Sequence, residues 1–108
     1  MGYKFSQELN IHYSVRILKL YCNNRKIIDY LPNTIEELYL GYSFDLELND
    51  LPSSIKILSF DNNSIRDRYY KNDLNNLPQS LEKLYLPERY NKEIFNLNPN
   101  CQIIKKID

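Results

Sequence analysis

One ten-residue unit is written three times in this chain, and the repetition limits the possible folds more than any other feature. The three copies are Leu31–Leu40 (LPNTIEELYL), Leu51–Phe60 (LPSSIKILSF) and Leu77–Leu86 (LPQSLEKLYL). Weaker copies occupy residues 11–20 and 97–106, and the period is 20 residues apart from one six-residue insertion. A period of this length is typical of solenoids, in which each repeat adds one coil to a stack.

Alternating apolar residues predict one short strand in each copy. Leu38 and Leu40 lie two positions apart and share one face of a strand, and Ile35 turns inward just before them. One coil alone has too little core to fold, so the strands should stack in parallel. The predicted inner columns are Leu18/Leu38/Leu58/Leu84/Ile104 and Leu20/Leu40/Phe60/Leu86. This pattern predicts a mostly β, leucine-rich-repeat-like solenoid of about five coils.

A second half-unit repeats between the strands and should form the return path of each coil. It consists of an aromatic residue, two variable residues, an acid and an aliphatic residue, and the leading aromatics are Phe5, Phe44, Tyr70 and Tyr90. We expect these aromatics to close the core from the side opposite the strands. A coil of 20 residues leaves room only for turns or a single-turn helix, with Leu-Pro setting a bend before each strand.

Length and composition indicate one domain over residues 1–108, with 1–10 as an N-terminal half-repeat or cap and the insertion at about 64–69. Lys+Arg and Asp+Glu both number 14, which argues against nucleic acid as a partner. The apolar runs fall far short of the roughly 20 residues that cross a bilayer, so no membrane association is expected. Two cysteines and no secretory segment favour a cytoplasmic protein.

The strand residues between the inner leucines are predicted to point outward onto a shared face. The predicted outer columns are Ile17/Glu37/Ile57/Lys83/Ile103, Lys19/Tyr39/Ser59/Tyr85/Lys105 and Tyr21/Gly41/Asp61/Pro87/Ile107. Tyrosine offers a large contact area at little entropic cost, so this face is the first candidate for binding a protein. The candidate residues are Tyr21, Glu37, Tyr39, Ile57, Lys83 and Tyr85. The alternative is that tyrosine and isoleucine merely suit strands.

The inserted segment is the second candidate contact, because it breaks the repeat and combines charge with aromatic residues. Its candidate residues are Arg66, Arg68 and Tyr69. Loops on regular scaffolds often carry function. The alternative is a solvated loop without a binding role.

Catalytic, cofactor and metal chemistry find little support in the sequence. The chain has only two glycines and therefore no glycine-rich phosphate loop. Glu47, Asp73 and Glu93 recur at the same repeat position, which indicates a solvated column of acids and not a catalytic pair. His12 has no cysteine or second histidine near it in the repeat register. We therefore expect no catalytic residue, no metal and no cofactor, and a protein that is not an enzyme.

The pattern Leu-Pro-x-Ser/Thr-Ile/Leu-x-x-Leu-x-Leu/Phe, followed by an aromatic-led half-unit, resembles the FNIP repeat. This relative of the leucine-rich repeat is abundant in social amoebae and in giant viruses of amoebae, and the resemblance covers roughly residues 5–106. If the protein is viral, the expected location is the host cytoplasm. The Phe-Asn-x-Pro half has decayed, since the segments after Phe44 and Tyr90 lack the proline. Family members often carry an F-box ahead of the repeats, which implies substrate receptors of ubiquitin ligases. Here the repeats begin within a few residues of Met1, so that role requires the chain to be a fragment.

Together these observations favour a non-enzymatic protein-interaction module that holds a protein partner on its strand face. The alternative from another class is a structural subunit that self-associates through its terminal coils, since short solenoids expose unpaired strands. A third hypothesis, the substrate-recognition part of a ubiquitin-ligase adaptor, depends on the FNIP resemblance.

Overall fold

Five short strands, stacked side by side in sequence order, form one sheet in the described part of the chain. The computed structural model describes residues 14–21, 25–41, 44–61 and 70–106. The predicted N-terminal cap, His12, Cys22 and the inserted segment with Arg66, Arg68 and Tyr69 lie outside the described residues.

All neighbouring strands pair in parallel, and the described parts of the connections between them contain turns and one short helix. The elements are β1 (Ile17–Leu20), α1 (Arg25–Asp29), β2 (Glu37–Gly41), β3 (Ile57–Asp61), β4 (Lys83–Pro87) and β5 (Gln102–Lys106). The predicted fold, a mostly β repeat solenoid with turn-rich or short-helical returns, is confirmed. Within the described ranges, no helix is long and apolar enough to cross a membrane.

The same turn precedes each strand from β2 onward and explains the repeated Leu-Pro-x-Ser/Thr motif. In the second coil the amide of Ile35 donates to the carbonyl of Pro32 at 3.3 Å, and the amide of Leu81 makes the equivalent 3.2 Å bond to Pro78. The hydroxyl of the motif then ties its coil to the preceding one. The hydroxyl donors and their carbonyl acceptors are Thr34 to Val15 at 3.0 Å, Ser54 to Ile35 at 2.7 Å and Ser80 to Ile55 at 2.7 Å.

The inner side chains of β1 to β4 form the two predicted columns. The register pairs Leu38 with Leu58 and Leu58 with Leu84, and all three are fully buried. Leu40 pairs with Phe60 in the second column. Each leucine is therefore covered by the coils on both sides, which is how a stack buries a core that one coil could not.

An aromatic column closes the core from the return side, as predicted. Phe44, Tyr70 and Tyr90 are all buried, and the ring of Tyr70 stacks on Phe60 with the centroids 4.3 Å apart. The Tyr70 hydroxyl donates to the carbonyl of Leu46 at 2.7 Å, and the Tyr90 hydroxyl donates to the carbonyl of Asn72 at 2.8 Å. Both acceptors lie in the coil before the tyrosine, so the aromatic column also links neighbouring coils.

The last strand departs from the predicted register by one residue. A strict 20-residue period places Ile104 beside Leu84, but the structure pairs Ile103 with Leu84 and Ile104 with Tyr85. Paired residues of a parallel sheet share a face, so Ile104 joins the outer face and Ile103 the inner one. The predictions that put Ile104 inside, and Ile103 and Lys105 outside, were wrong.

The sequence of the last copy explains the change of register. Cys101 stands where the strong copies carry Ile35, Ile55 or Leu81, and it is only half-buried. Ile103 and Ile104 are adjacent, so either register presents an apolar residue to the core side. A strand whose apolar pattern does not distinguish its two faces has a weakly specified register.

Candidate functional site

The outer side of the sheet, called the strand face below, presents a central row of one side chain from each strand. The row consists of Lys19, Tyr39, Ser59, Tyr85 and Ile104. Its backbone is held on both sides by ladder hydrogen bonds in β2, β3 and β4, and it therefore displays side chains on a preorganised surface. Preorganisation lowers the entropic cost of binding.

Ser59 lies at the centre of this row and is almost completely buried, with 1% of its surface exposed. Its two neighbours in the sheet register are Tyr39 and Tyr85, both of them half-buried. A small residue between two large ones is shielded by them, because neighbouring strands are only about 4.8 Å apart. The centre of the strand face is consequently an aromatic surface without a deep cleft at Ser59.

Tyr21 extends this aromatic surface along one edge. The Cδ1 edge of its ring points at Gly41 of the next strand, where an added Cβ atom would come within 1.9 Å of the Tyr21 Cδ1 atom. Gly41 is buried, whereas 60% of the Tyr21 surface stays exposed. The absence of a side chain at Gly41 thus makes room for the edge of the Tyr21 ring.

Charged groups on the strand face are largely engaged with the tyrosines. The hydroxyl of Tyr39 donates to the Glu37 Oε1 atom at 2.6 Å, and the Nζ atom of Lys19 lies 5.8 Å from the centroid of the Tyr39 ring. The latter distance is within the range of a cation–π contact. These contacts restrain Tyr39 and orient its ring within the row.

A column of alternating charge borders the strand face where the strands begin. Its members from the first to the fourth coil are Arg16, Glu36, Lys56 and Glu82, and Arg16 bonds Glu36 at 2.8 Å. Both partners of that pair are well exposed, so it contributes little to stability. Because the signs alternate, this border carries no net charge, and aromatic contact dominates the chemistry of the face.

The six residues predicted for this surface come together as expected from the register. Tyr21, Glu37, Tyr39, Ile57, Lys83 and Tyr85 all lie on the outer side of β1 to β4 or directly after β1. Sequence reasoning missed that Ser59, Gly41 and Pro87 are buried on this side. The signal for Gly41 was present, since it is the only glycine in the predicted outer columns, but the ring that packs against it comes from the neighbouring coil. Whether the face binds a partner stays a prediction.

A polar groove of about 310 Å³ lies on the opposite side, between the return segments of neighbouring coils. It is lined by Glu47, Asn49, Asn72, Asp73, Asn75, Asn76 and Lys92. Asp73 is paired with Lys92 at 3.2 Å, and Asn72 donates to the carbonyl of Asp45. Glu47, Asp73 and Glu93 are exposed, in agreement with the predicted solvated column.

Among the described residues, no group of three or more histidine, cysteine or acidic side chains is placed to hold a metal ion. Cys101 is a free thiol, and burial raises its pKa. A raised pKa reduces the fraction of reactive thiolate at neutral pH. Cys101 packs against the core cluster, and its surroundings favour the protonated thiol.

Comparison with known proteins returned no matching family, no matching curated protein and no matching solved structure. Inferences about the function therefore rest on the geometry of the strand face.

Proposed function

We propose that this chain is a non-enzymatic protein-interaction module that holds a protein partner on its strand face. One observation carries the proposal: Tyr21, Tyr39 and Tyr85 are displayed together on a paired, preorganised sheet. Tyrosine is enriched among residues that dominate binding energy, because it buries a large area while losing few rotamers. The partially exposed Ile57 lies beside this group and adds apolar area.

The packing of these tyrosines fits a binding role better than a purely structural one. Residues needed only for folding are buried on the core side, as Tyr70 and Tyr90 are. By contrast, 60% of the Tyr21 surface remains in solvent, and Tyr39 and Tyr85 are partly exposed. Aromatic side chains that are exposed side by side on one surface are typical of interaction sites, whereas a single exposed aromatic residue is ordinary.

Site-specific photo-crosslinking in the cells that naturally contain the protein would test this proposal. A photoreactive phenylalanine analogue replaces Tyr85 on the strand face in one variant. In the control it replaces Tyr30, which follows α1 and is 74% exposed but lies on another surface. We expect one protein to be crosslinked from position 85 and not from position 30.

The crosslinked protein is then produced separately and titrated against purified variants. Tyr39→Ala combined with Tyr85→Ala should weaken its affinity at least about 10-fold, whereas Tyr30→Ala should leave the affinity unchanged. Equal crosslinking from both positions, or unchanged affinity in the double variant, would contradict a binding role for this face. Urea unfolding of each variant confirms that the fold is retained.

The FNIP assignment is a further proposal, supported by the three Leu-Pro-x-Ser/Thr copies and by the hydroxyl bonds that each motif makes to the preceding coil. A substrate-recognition role in a ubiquitin ligase follows from that resemblance alone. Recovery of a ligase scaffold among the proteins crosslinked at position 85 would support it, and a crosslinked partner that associates with no ligase would argue against it.

A further inference from the structure

The inner face of β5 carries a lysine where every preceding strand carries an apolar residue. Lys105 pairs with Leu86, and the same column holds a leucine or phenylalanine in each earlier coil. The Lys105 Nζ atom donates a 2.6 Å hydrogen bond to the carbonyl of Tyr90, in the return segment that follows β4. The change of register in β5 has therefore turned a charged amine toward the core side of the sheet.

The neighbouring inner residue is apolar and partly open to solvent. Ile103 pairs with the fully buried Leu84, yet 45% of its own surface is exposed. The unpaired backbone groups of an edge strand are a template for adding another strand, and an exposed apolar side chain favours the addition. If β1 of a second copy were added in parallel, continuing the register would bring its Leu18 and Leu20 beside Ile103 and Lys105.

We propose that Lys105 closes this surface of β5 against a second copy of the chain. Stacking of another copy would remove the ammonium group from water and set it against the aliphatic side chain of Leu20. An ammonium group transferred to an apolar contact loses hydration that one carbonyl cannot replace. Inward-pointing charge on an edge strand is one of the ways in which natural sheets avoid edge-to-edge association.

The proposal argues against one route to a self-associating subunit, the stacking of β1 of one copy on β5 of another. Self-association by stacking needs two compatible apolar ends, and Lys105 makes the β5 end incompatible with β1. The strand face takes no part in this contact. A variant can therefore lose partner binding without self-associating, and it can self-associate without losing partner binding.

Light scattering coupled to size-exclusion chromatography, run over a wide concentration series, would test the closure. The variants are Lys105→Leu and Lys105→Met. Both replace the ammonium group with an apolar side chain and still allow the backbone of β5 to pair with a strand of a second copy. The control is Lys56→Leu, the same change at an exposed lysine just before β3 in the middle of the stack. We expect the natural chain and the control to stay at 13.0 kDa, and both Lys105 variants to form larger species as concentration rises.

Each of three results would overturn the proposal. One is a natural chain that already associates. Another is Lys105→Leu and Lys105→Met chains that stay monomeric at every concentration while giving the circular dichroism of the natural chain. Unfolding of both variants would also contradict it, since Lys105 is assigned to the end surface and not to the stability of the coils.

Discussion

The Tyr70 hydroxyl donates to the backbone carbonyl of Leu46 in the preceding coil, across 2.7 Å. The carbonyl belongs to a return segment with no ladder partner, and the tyrosine ring is buried against Phe60. The bond therefore satisfies a backbone acceptor while the ring fills the core. This dual role distinguishes the aromatic column of this protein from a column of plain apolar residues.

Removal of the Tyr70 hydroxyl should destabilise the fold without opening a cavity. In Tyr70→Phe the ring stays stacked on Phe60, but the Leu46 carbonyl loses its donor, at a cost of about 1 to 2 kcal/mol. Urea unfolding followed by circular dichroism measures the difference. Tyr30→Phe, at an exposed position, is the control and should change the free energy of unfolding by less than about 0.5 kcal/mol. A Tyr70→Phe chain as stable as the natural one would contradict this role.

Alkaline pH should destabilise the protein through its buried tyrosines. Burial, with a smaller contribution from Asp73, raises the pKa of Tyr90 to about 12, and burial raises the pKa of Tyr70 as well. The unfolded chain ionises its tyrosines near pH 10, roughly their reference pKa. The stability contributed by these protonated, buried tyrosines is therefore fully present below about pH 10. It is lost as the pH rises toward about 12.

Urea unfolding at pH of about 8 and about 11 tests this dependence, in the natural chain and in Tyr70→Phe/Tyr90→Phe. The natural chain should lose more stability between the two pH values than the double variant, because the variant has no buried phenol to keep protonated. An equal loss in both chains would assign the alkaline effect to other groups.

The hydrogen bond made by the hydroxyl of the repeated motif can be tested at the turn before β3, where the adjacent residue provides a control. Ser54 donates to the carbonyl of Ile35 at 2.7 Å, whereas its neighbour Ser53 is exposed. Ser54→Ala should cost about 1 kcal/mol, and Ser53→Ala should stay within about 0.5 kcal/mol of the natural chain. Ser54→Thr should be tolerated, since Thr34 makes the same bond one coil earlier. Thermal or urea unfolding that ranks Ser53→Ala as the more damaging change would refute the assignment.

The contact of Tyr21 with Gly41 predicts a coupling between these two positions. A Cβ atom at Gly41 would lie 1.9 Å from the Tyr21 Cδ1 atom, so Gly41→Ala must displace the exposed ring at a cost of about 1 kcal/mol. In a Tyr21→Ala background the same change should be neutral or stabilising, because alanine restricts the unfolded chain more than glycine does. A double-mutant cycle by urea unfolding measures the coupling. Additive effects would show that the ring does not occupy this place in solution.

The stacked architecture could be predicted because each repeat contains the apolar residues that require it. Leu38 and Leu40, two positions apart, can both be buried only if a neighbouring coil covers them, and the 20-residue period supplies that neighbour. The closing aromatics were predictable for the same reason. The hydrogen bonds of Tyr70 and Ser54 were not foreseen, since their acceptors lie in another coil, more than 18 residues away.

The strand face was predicted less completely than the core. Alternation assigns Tyr39, Ser59 and Tyr85 to the outer side, and the structure places them in one row. Burial of Ser59 follows from the size of its neighbours on adjacent strands, which no single repeat contains. Contacts between coils therefore decide how much of each outward residue is accessible.

By itself the sequence determined the period, the parallel stack and the inner columns of β1 to β4, because only one register buries the leucines of those strands. Only the tertiary structure decided the register of β5, where Ile103 and Ile104 offer the core an apolar residue in either alignment. The observed register turns Lys105 toward the core side, where its ammonium group donates a hydrogen bond to the carbonyl of Tyr90. The sequence of a repeat specifies the strand register when the two faces of the strand differ in polarity. When both faces are apolar, packing against the neighbouring coil sets the register.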